Sequence, residues 1–210
     1  MPEGFGGYWI LVHIPQIVLA SQSPRRRELL DAGGIPSTVR VSNIDETVHA
    51  GEDAIEYVRR MALGKARAVD AGPDEIILAA DTTVVRGGQI LGKPCDPDDA
   101  RRMLRVLSGG SHTVITGICL RHGDKEIMAH EETQVWFTAL TPAEIDDYVN
   151  TGEPMDKAGA YAIQGIASRY IERIVGSYSN VVGLPVSLVW RELNRLRTSA
   201  SPVTSVLPEV

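Results

Sequence analysis

In four places this sequence sets charged side chains where folding alone does not ask for them. Arg25, Arg26 and Arg27 follow Ser23-Pro24, a pair that marks a helix start with Ser23 at the N-cap and proline at the first helical position. A helix N-terminus presents free backbone N–H groups and the positive end of the dipole, and it normally favours Asp or Glu by ~0.3–1 kcal/mol. Three arginines there either point into solvent or face an external anion of several charges, for which a polyphosphate is the obvious candidate. Lys65 falls on an apolar helical stripe, so it either snorkels out or meets an anion. Asp81 follows a hydrophobic run that reads as a buried strand, and the ends of such strands are where open α/β sheets place their chemistry. Lys93 and Lys157 sit in Gly/Pro-rich loops, as ordinary turn residues or as phosphate ligands. One arrangement accounts for all of them: a phosphate clamp beside a carboxylate site. Cations neutralise phosphates, while Asp81, with Glu46, holds a divalent metal or activates a water.

Other chemistries fit less well. Cys95 neighbours the Lys93-Pro94 loop, but no histidine pairs with it in the sequence, so a covalent thiol mechanism is not indicated. His112 reads as a structural residue that holds the turn after Gly109-Gly110. There is no Gly-rich loop ending in Lys-Ser or Lys-Thr, which argues against a P-loop kinase or ATPase. A net charge of −6 on 210 residues excludes a broadly basic nucleic-acid-binding face, and the positive charge is local. Two cysteines without metal-type spacing indicate a reducing compartment. The apolar run from Tyr8 to Ala20 is broken by His13, Pro15 and Gln16 and has no Lys or Arg before it, so it predicts neither a membrane span nor a signal peptide. A cytoplasmic protein without a membrane partner is expected.

The elements that must position these side chains follow from pattern. Ile17–Ala20 predicts a buried strand, Ser21-Gln22-Ser23 a tight turn, and Pro24 the start of a helix that ends at Gly33-Gly34. A strand near Thr38–Val41 leads to Asp45-Glu46. Ala54, Tyr57, Val58, Met61, Ala62, Ala66 and Val69 recur at helical spacing, so Glu52–Ala71 predicts an amphipathic helix with Lys65 on its stripe and Arg67 off it, solvated. Glu75–Ala80 predicts a strand stopping at Asp81, and Val84–Leu91 a hairpin turning at Gly87-Gly88. Asp96-Pro97 opens a helix to about Leu107, and His112–Arg121 and Ile127–Thr138 alternate as two long strands. Thr141-Pro142-Ala143-Glu144 is a capping box that opens a helix to Asn150. The stretch 152–165 predicts a long functional loop. A strand near Tyr170–Val175, a Gly-Ser-Tyr-Ser-Asn turn and a helix from Leu184-Pro185 to about Leu196 follow. Met1–Pro15 is expected to be an irregular arm and the tail from Thr198 to be disordered, leaving residues 16–197 as one domain.

Six ordered motifs carry a family resemblance: Ser21-Gln22-Ser23-Pro24-Arg25-Arg26, Ala80-Asp81-Thr82, Gly92-Lys93-Pro94, Leu107-Ser108-Gly109 with His112, Asp156-Lys157-Ala158-Gly159-Ala160-Tyr161-Ala162-Ile163-Gln164-Gly165, and Asn180-Val181-Val182-Gly183-Leu184-Pro185. Over about Ile17–Leu196 the chain resembles the Maf family, nucleoside triphosphate pyrophosphatases also described as septum-formation-inhibitor-like. The resemblance implies an α/β fold of two lobes around a deep cleft on a twisted mixed sheet, related to the inosine triphosphate pyrophosphatases. It implies hydrolysis between the α- and β-phosphates with Mg²⁺, Mn²⁺ or Co²⁺. Asp81 matches the family's proton acceptor; Ser21, Arg26, Lys65, Lys93 and Lys157 match phosphate-side positions, and Glu46 a second acidic one that with Asp81 would hold the metal. Arg25, Thr82 and Gln164 match the specificity positions of the subgroup acting on dTTP and UTP, and a glutamine amide presents both donor and acceptor to a pyrimidine edge. A homodimer is expected from family habit. The competing expectations are a nucleotide-binding regulator of cell division and the same chemistry on 7-methyl-GTP or another purine nucleotide.

Overall fold

The computed structural model describes residues 16–198; the arm expected over Met1–Pro15 and the tail from 199 onward lie outside the described residues. In chain order the elements are β1 (Ile17–Leu19), α1 (Pro24–Ala32), β2 (Ser37–Val39), α2 (Ala54–Arg67), β3 (Ile76–Arg86), β4 (Gln89–Leu91), α3 (Pro97–Leu107), β5 (Ser111–His122), β6 (Lys125–Phe137), α4 (Pro142–Asn150), β7 (Ile171–Val175), α5 (Tyr178–Val182) and α6 (Val186–Thr198). Among the described residues the strands form one sheet in the order β2-β1-β3-β5-β6-β7, with β4 paired to β3. β1 pairs in parallel with β2 and β3, and the remaining pairs are antiparallel, which gives the mixed α/β sheet expected.

Local chemistry fixes most boundaries. Asp53 caps α2 by accepting from the N–H groups of Ile55 and Glu56, Asp96 caps α3 through Asp99 N–H, and Thr141 and Glu144 close a reciprocal capping box on α4. Four expectations need correction. β3 does not stop at Asp81: β-branched Thr82, Thr83, Val84 and Val85 continue the strand, and β5 pairs with it from Ile77 to Val85. What ends near Asp81 is its other neighbour, since β1 pairs with β3 only as far as Leu78 and β4 begins pairing only at Val84. The edge of β3 between these limits is open. The stretch 152–165 is folded into 3₁₀ turns over Glu153–Asp156 and Ala158–Ala160 rather than left as an irregular loop. The Gly-Ser-Tyr-Ser-Asn turn opens a short helix, α5, capped by Ser177. Ser23 makes no side-chain cap; its N–H instead donates to Ser21 Oγ.

Among the described residues four apolar clusters pack on the sheet; α2 covers two of them, and the other two lie toward opposite ends of β3. One gathers Leu19, Leu30, Ile76, Leu78 and Ile118 with Leu188 and Leu193 of α6. The other gathers Val84, Leu91, Leu104, Val114 and Phe137 with Tyr148 of α4 and Ala160. Asp81, Thr82 and Thr83 lie on β3 between the two. The polar stretch of β3 thus falls between these two clusters.

Candidate active site

Three elements converge on the open edge of β3. Side chains alternate along a strand, so Asp81 faces one side of the sheet and Thr82 the other. Asp81 stands opposite Gly117 on β5, and a Cβ on Gly117 would come within 2.6 Å of Val58 O. The missing side chain lets the backbone of α2 rest on the sheet, which brings Lys65 down to Asp81. Lys65 neither snorkels out nor waits for an external anion. Its Nζ donates to Asp81 Oδ1 at 2.6 Å and pairs with Glu46 Oε1 at 2.6 Å. Asp81 and Lys65 are buried, whereas the Glu46 side chain is about half exposed. Burial raises the Glu46 carboxyl, but the hydrogen bond and charge of Lys65, aided by Lys93 and Arg26, hold it below the ordinary carboxylate range. Tyr57, which sequence reading had assigned only to the apolar stripe, donates from Oη to Glu46 O and so anchors the loop that carries Glu46.

On the other side of the sheet, Arg26 fills the gap left where β1 ends. Nε donates to Gly183 O at 2.8 Å, Nη1 to Ala80 O at 2.8 Å and to Ser21 Oγ at 3.1 Å, and Nη2 to Thr82 Oγ1 at 3.1 Å. All four acceptors are neutral. Burial pushes the guanidinium below its ordinary value while the Asp81 charge works against this, and the fixed positive charge lends its field to the cavity. Thr82 Oγ1 is committed to Arg26, to Thr116 Oγ1 and to Gly183 O, so this hydroxyl serves as part of the frame.

The three arginines of α1 separate because successive helical residues point about 100° apart. Arg26 goes inward; Arg25 reaches the cavity rim, where Nη1 pairs with Asp156 Oδ2 at 3.1 Å; Arg27 turns to solvent beside Asp31. Only Arg25 and Arg26 line the cavity, and Arg27 takes the solvent alternative. Lys157 pairs with the same Asp156 and donates to Glu153 O at 2.6 Å. Burial raises the Asp156 carboxyl, but Lys157 and then Arg25 hold it below its usual range. Lys93 stands exposed on the rim.

The resulting cavity has a volume of about 900 Å³ and is lined by Ser21, Arg25, Arg26, Glu46, Lys65, Asp81, Thr82, Lys93, Lys157 and Gln164, so every side chain to which the family resemblance gives a site role borders one space. Asp156 and Tyr57 border it as well and were not singled out. The Asp-Lys adjacency at 156–157 was the available signal for the former. No cluster of three or more His, Cys, Asp or Glu suited to a metal occurs among the described residues. Two carboxylates on one wall nevertheless suit Mg²⁺, which is commonly held by one or two carboxylates together with substrate phosphates.

Neither Cys95 nor His112 borders this space. Cys95 is an exposed thiol whose pKa is raised by desolvation and by Asp96 and Asp99 beside it. His112 is buried at β5, hydrogen-bonded through Nε2 to Tyr161 Oη at 2.8 Å and packed edge-on against Phe137; it supports Tyr161 on the cavity wall rather than the turn expected. Arg67, expected to be solvated, forms a paired hydrogen bond to Glu126.

A sequence model of Maf-like proteins matches residues 16–196. The chain belongs to the Maf family. Among Maf relatives, the dTTP/UTP pyrophosphatase of Anaeromyxobacter dehalogenans is 55% identical over 177 residues, spanning 82% of this chain and 90% of the relative. That of Symbiobacterium thermophilum is 56% identical over 173 residues, covering 81% and 89%. Among solved structures, a HAM1 protein from Coxiella burnetii aligns with a TM-score of 0.46 at 15% identity, over 88% of this chain and 99% of that one. No helix among the described residues is long and apolar enough to cross a membrane.

Proposed function

We propose that this Maf protein hydrolyses dTTP and UTP between the α- and β-phosphates, releasing the nucleoside monophosphate and pyrophosphate. The observation that carries the reading is the Asp81–Lys65–Glu46 chain of 2.6 Å contacts in a cavity that Arg25, Arg26, Lys93 and Lys157 also line. Hydrolysis of a phosphoanhydride needs charge neutralisation on the leaving pyrophosphate and a positioned water, and needs no covalent intermediate. Asp81 keeps its Oδ1 on Lys65, which leaves Oδ2 to accept a proton from water as it attacks the α-phosphorus. Lys65 fixes the carboxylate in that orientation. Arg26, held by neutral acceptors, keeps its full charge for the phosphates, and Ser21, Lys93 and Lys157 line their path. Gln164 borders the same cavity as the residue that would meet the base, Arg25 stands beside Lys157 on the rim that the nucleotide passes, and Thr82 holds Arg26 in place. Glu46 and Asp81 are the residues that would hold a divalent cation, whose charge neutralises the phosphates when bound. The identity shared with relatives named for dTTP and UTP supports this substrate class. The unpaired cysteines suit the cytoplasm, where such nucleotides are found.

The deciding measurement is pyrophosphate release from a panel of canonical and modified nucleoside triphosphates with Mg²⁺, Mn²⁺ and Co²⁺. Release from dTTP and UTP should exceed that from purine triphosphates and fall at least roughly a thousandfold in Asp81→Asn. A folded wild-type protein that releases no pyrophosphate from any nucleotide would leave nucleotide binding, with a regulatory role, as the surviving reading.

A further inference from the structure

The stretch that brings Lys157 and Gln164 to the cavity has no strand or long helix of its own to hold it. Its middle packs into the core through Ala160 and Tyr161, and its two ends are tied together by one carboxylate. Glu153 Oε1 accepts from Tyr148 Oη at 2.8 Å, and the two oxygens of Glu153 accept from Ile166 N at 3.1 and 3.2 Å. This ties the beginning of the stretch to its end and both to α4. Tyr148 is fully buried, and its Oη also accepts from Ala162 N at 3.2 Å. Gln164 therefore stands between two pinned residues, Ala162 on the phenol and Ile166 on the carboxylate. The backbone oxygen of the same Glu153 receives Lys157 Nζ. Gly165 shows how closely the carboxylate is fitted: any Cβ there would collide with both Glu153 oxygens, although the backbone at Gly165 is extended and open to other residues.

Glu153 does not border the cavity, so its carboxylate has no direct part in binding. We infer that Glu153 is a positioning residue for base selection: its carboxylate, with Tyr148, sets where the Gln164 amide stands in the cavity. The inference rests on the pyrimidine reading above. A merely structural role would lower stability and leave the ratio between substrates untouched, whereas a positioning role changes the ratio.

The test compares kcat and KM for dTTP and dGTP, with melting temperature, in wild type, Glu153→Ala, Tyr148→Phe and Gln164→Ala. Loss of several hydrogen bonds to one carboxylate predicts a fall of about tenfold in the dTTP to dGTP ratio of kcat/KM for Glu153→Ala, carried mainly by a rise in KM for dTTP. Tyr148→Phe keeps the buried ring and loses only the hydroxyl, and should fall about threefold in the same ratio, so a poorly folding Glu153→Ala still leaves a decisive variant. The inference is overturned if Gln164→Ala lowers the ratio while folded Glu153→Ala or Tyr148→Phe keeps the wild-type value. If Gln164→Ala itself leaves the ratio unchanged, the pyrimidine reading falls, and the positioning role with it.

Discussion

The cavity holds two three-membered charge groups of opposite sense, and they are built differently. On the floor, one cation, Lys65, is shared by two carboxylates, Asp81 and Glu46; on the rim, one carboxylate, Asp156, is shared by two cations, Arg25 and Lys157. The floor members Asp81 and Lys65 are only 10% exposed in their side chains, whereas Asp156 on the rim is 64% exposed. Coulomb attraction grows as the local dielectric falls, so the floor pair is held firmly and the rim pair weakly. The floor therefore fixes a geometry. The rim stores two positive charges behind a counter-ion that a phosphate can replace.

The sharpest way to break this contrast is to remove one cation from each group. Lys65→Met leaves a buried Asp81 facing Glu46 without the ammonium between them, and loss of one partner from a buried pair costs about 3 kcal/mol. The expected result is a kcat for dTTP lower by a factor on the order of a thousand, with a clear fall in melting temperature. Lys157→Met should instead raise KM by about tenfold and leave the melting temperature nearly unchanged, because its ion partner sits in solvent. Equal losses of kcat in the two variants would show that floor and rim act as one group.

A pH titration sharpens the comparison through His112, the neutral group that supports Tyr161 on the cavity wall. His112 is buried with its Nδ1 unpartnered, and burial, reinforced by Arg86, pushes its pKa down from 6.5 to about 4. The folded protein thus refuses a proton that the unfolded chain accepts. Stability from this group is complete above pH 6.5 and is lost as pH falls toward about 4. The carboxylates of Glu46 and Asp156, held low by their cations, begin to add their own losses as pH falls through the ordinary values of 4.5 and 3.8, at the acid edge of that window and beyond it. Melting temperature should decline between these two pH values in wild type by roughly several degrees and decline less in His112→Gln. Parallel curves for the two proteins would assign the loss to the charged groups instead.

What the sequence discloses here follows the range of the interactions. Capped helices, long alternating strands and the apolar stripe of α2 are set by neighbours a few residues apart; Asp96 and the Thr141–Glu144 box place α3 and α4 almost to the residue, whereas α2, expected over Glu52–Ala71, spans Ala54–Arg67. The same stripe exposes Lys65 as an anomaly. Its partners are another matter, because Asp81 lies 16 residues away and meets it only where Gly117 admits α2 to the sheet. Asp156 and Glu153 escaped notice because a carboxylate in a small-residue loop carries no signal of what it binds; Arg25, 131 residues from Asp156, and Ile166 supply the meaning only after folding. The extension of β3 past Asp81 was hidden for the same reason. Apolar content drops at Asp81-Thr82-Thr83, yet pairing with β5 carries the strand through.

The smallest expected effect falls on the rim counter-ion itself. Asp156 neutralises Arg25 and Lys157, and a triphosphate approaching those cations must displace it. Asp156→Asn removes the competitor while keeping the size of the side chain. An exposed ion pair is worth ~0–1 kcal/mol, so KM for dTTP should fall by no more than about fivefold at low salt. The gain should fade as ionic strength rises toward about 1 M, where the screening length shrinks to ~3 Å. Inhibition by product pyrophosphate should strengthen by a similar factor, since the same two cations would receive it. A KM that rises instead would mean that Asp156 aims Lys157 rather than shields it. The rim would then be as much a fixed geometry as the floor.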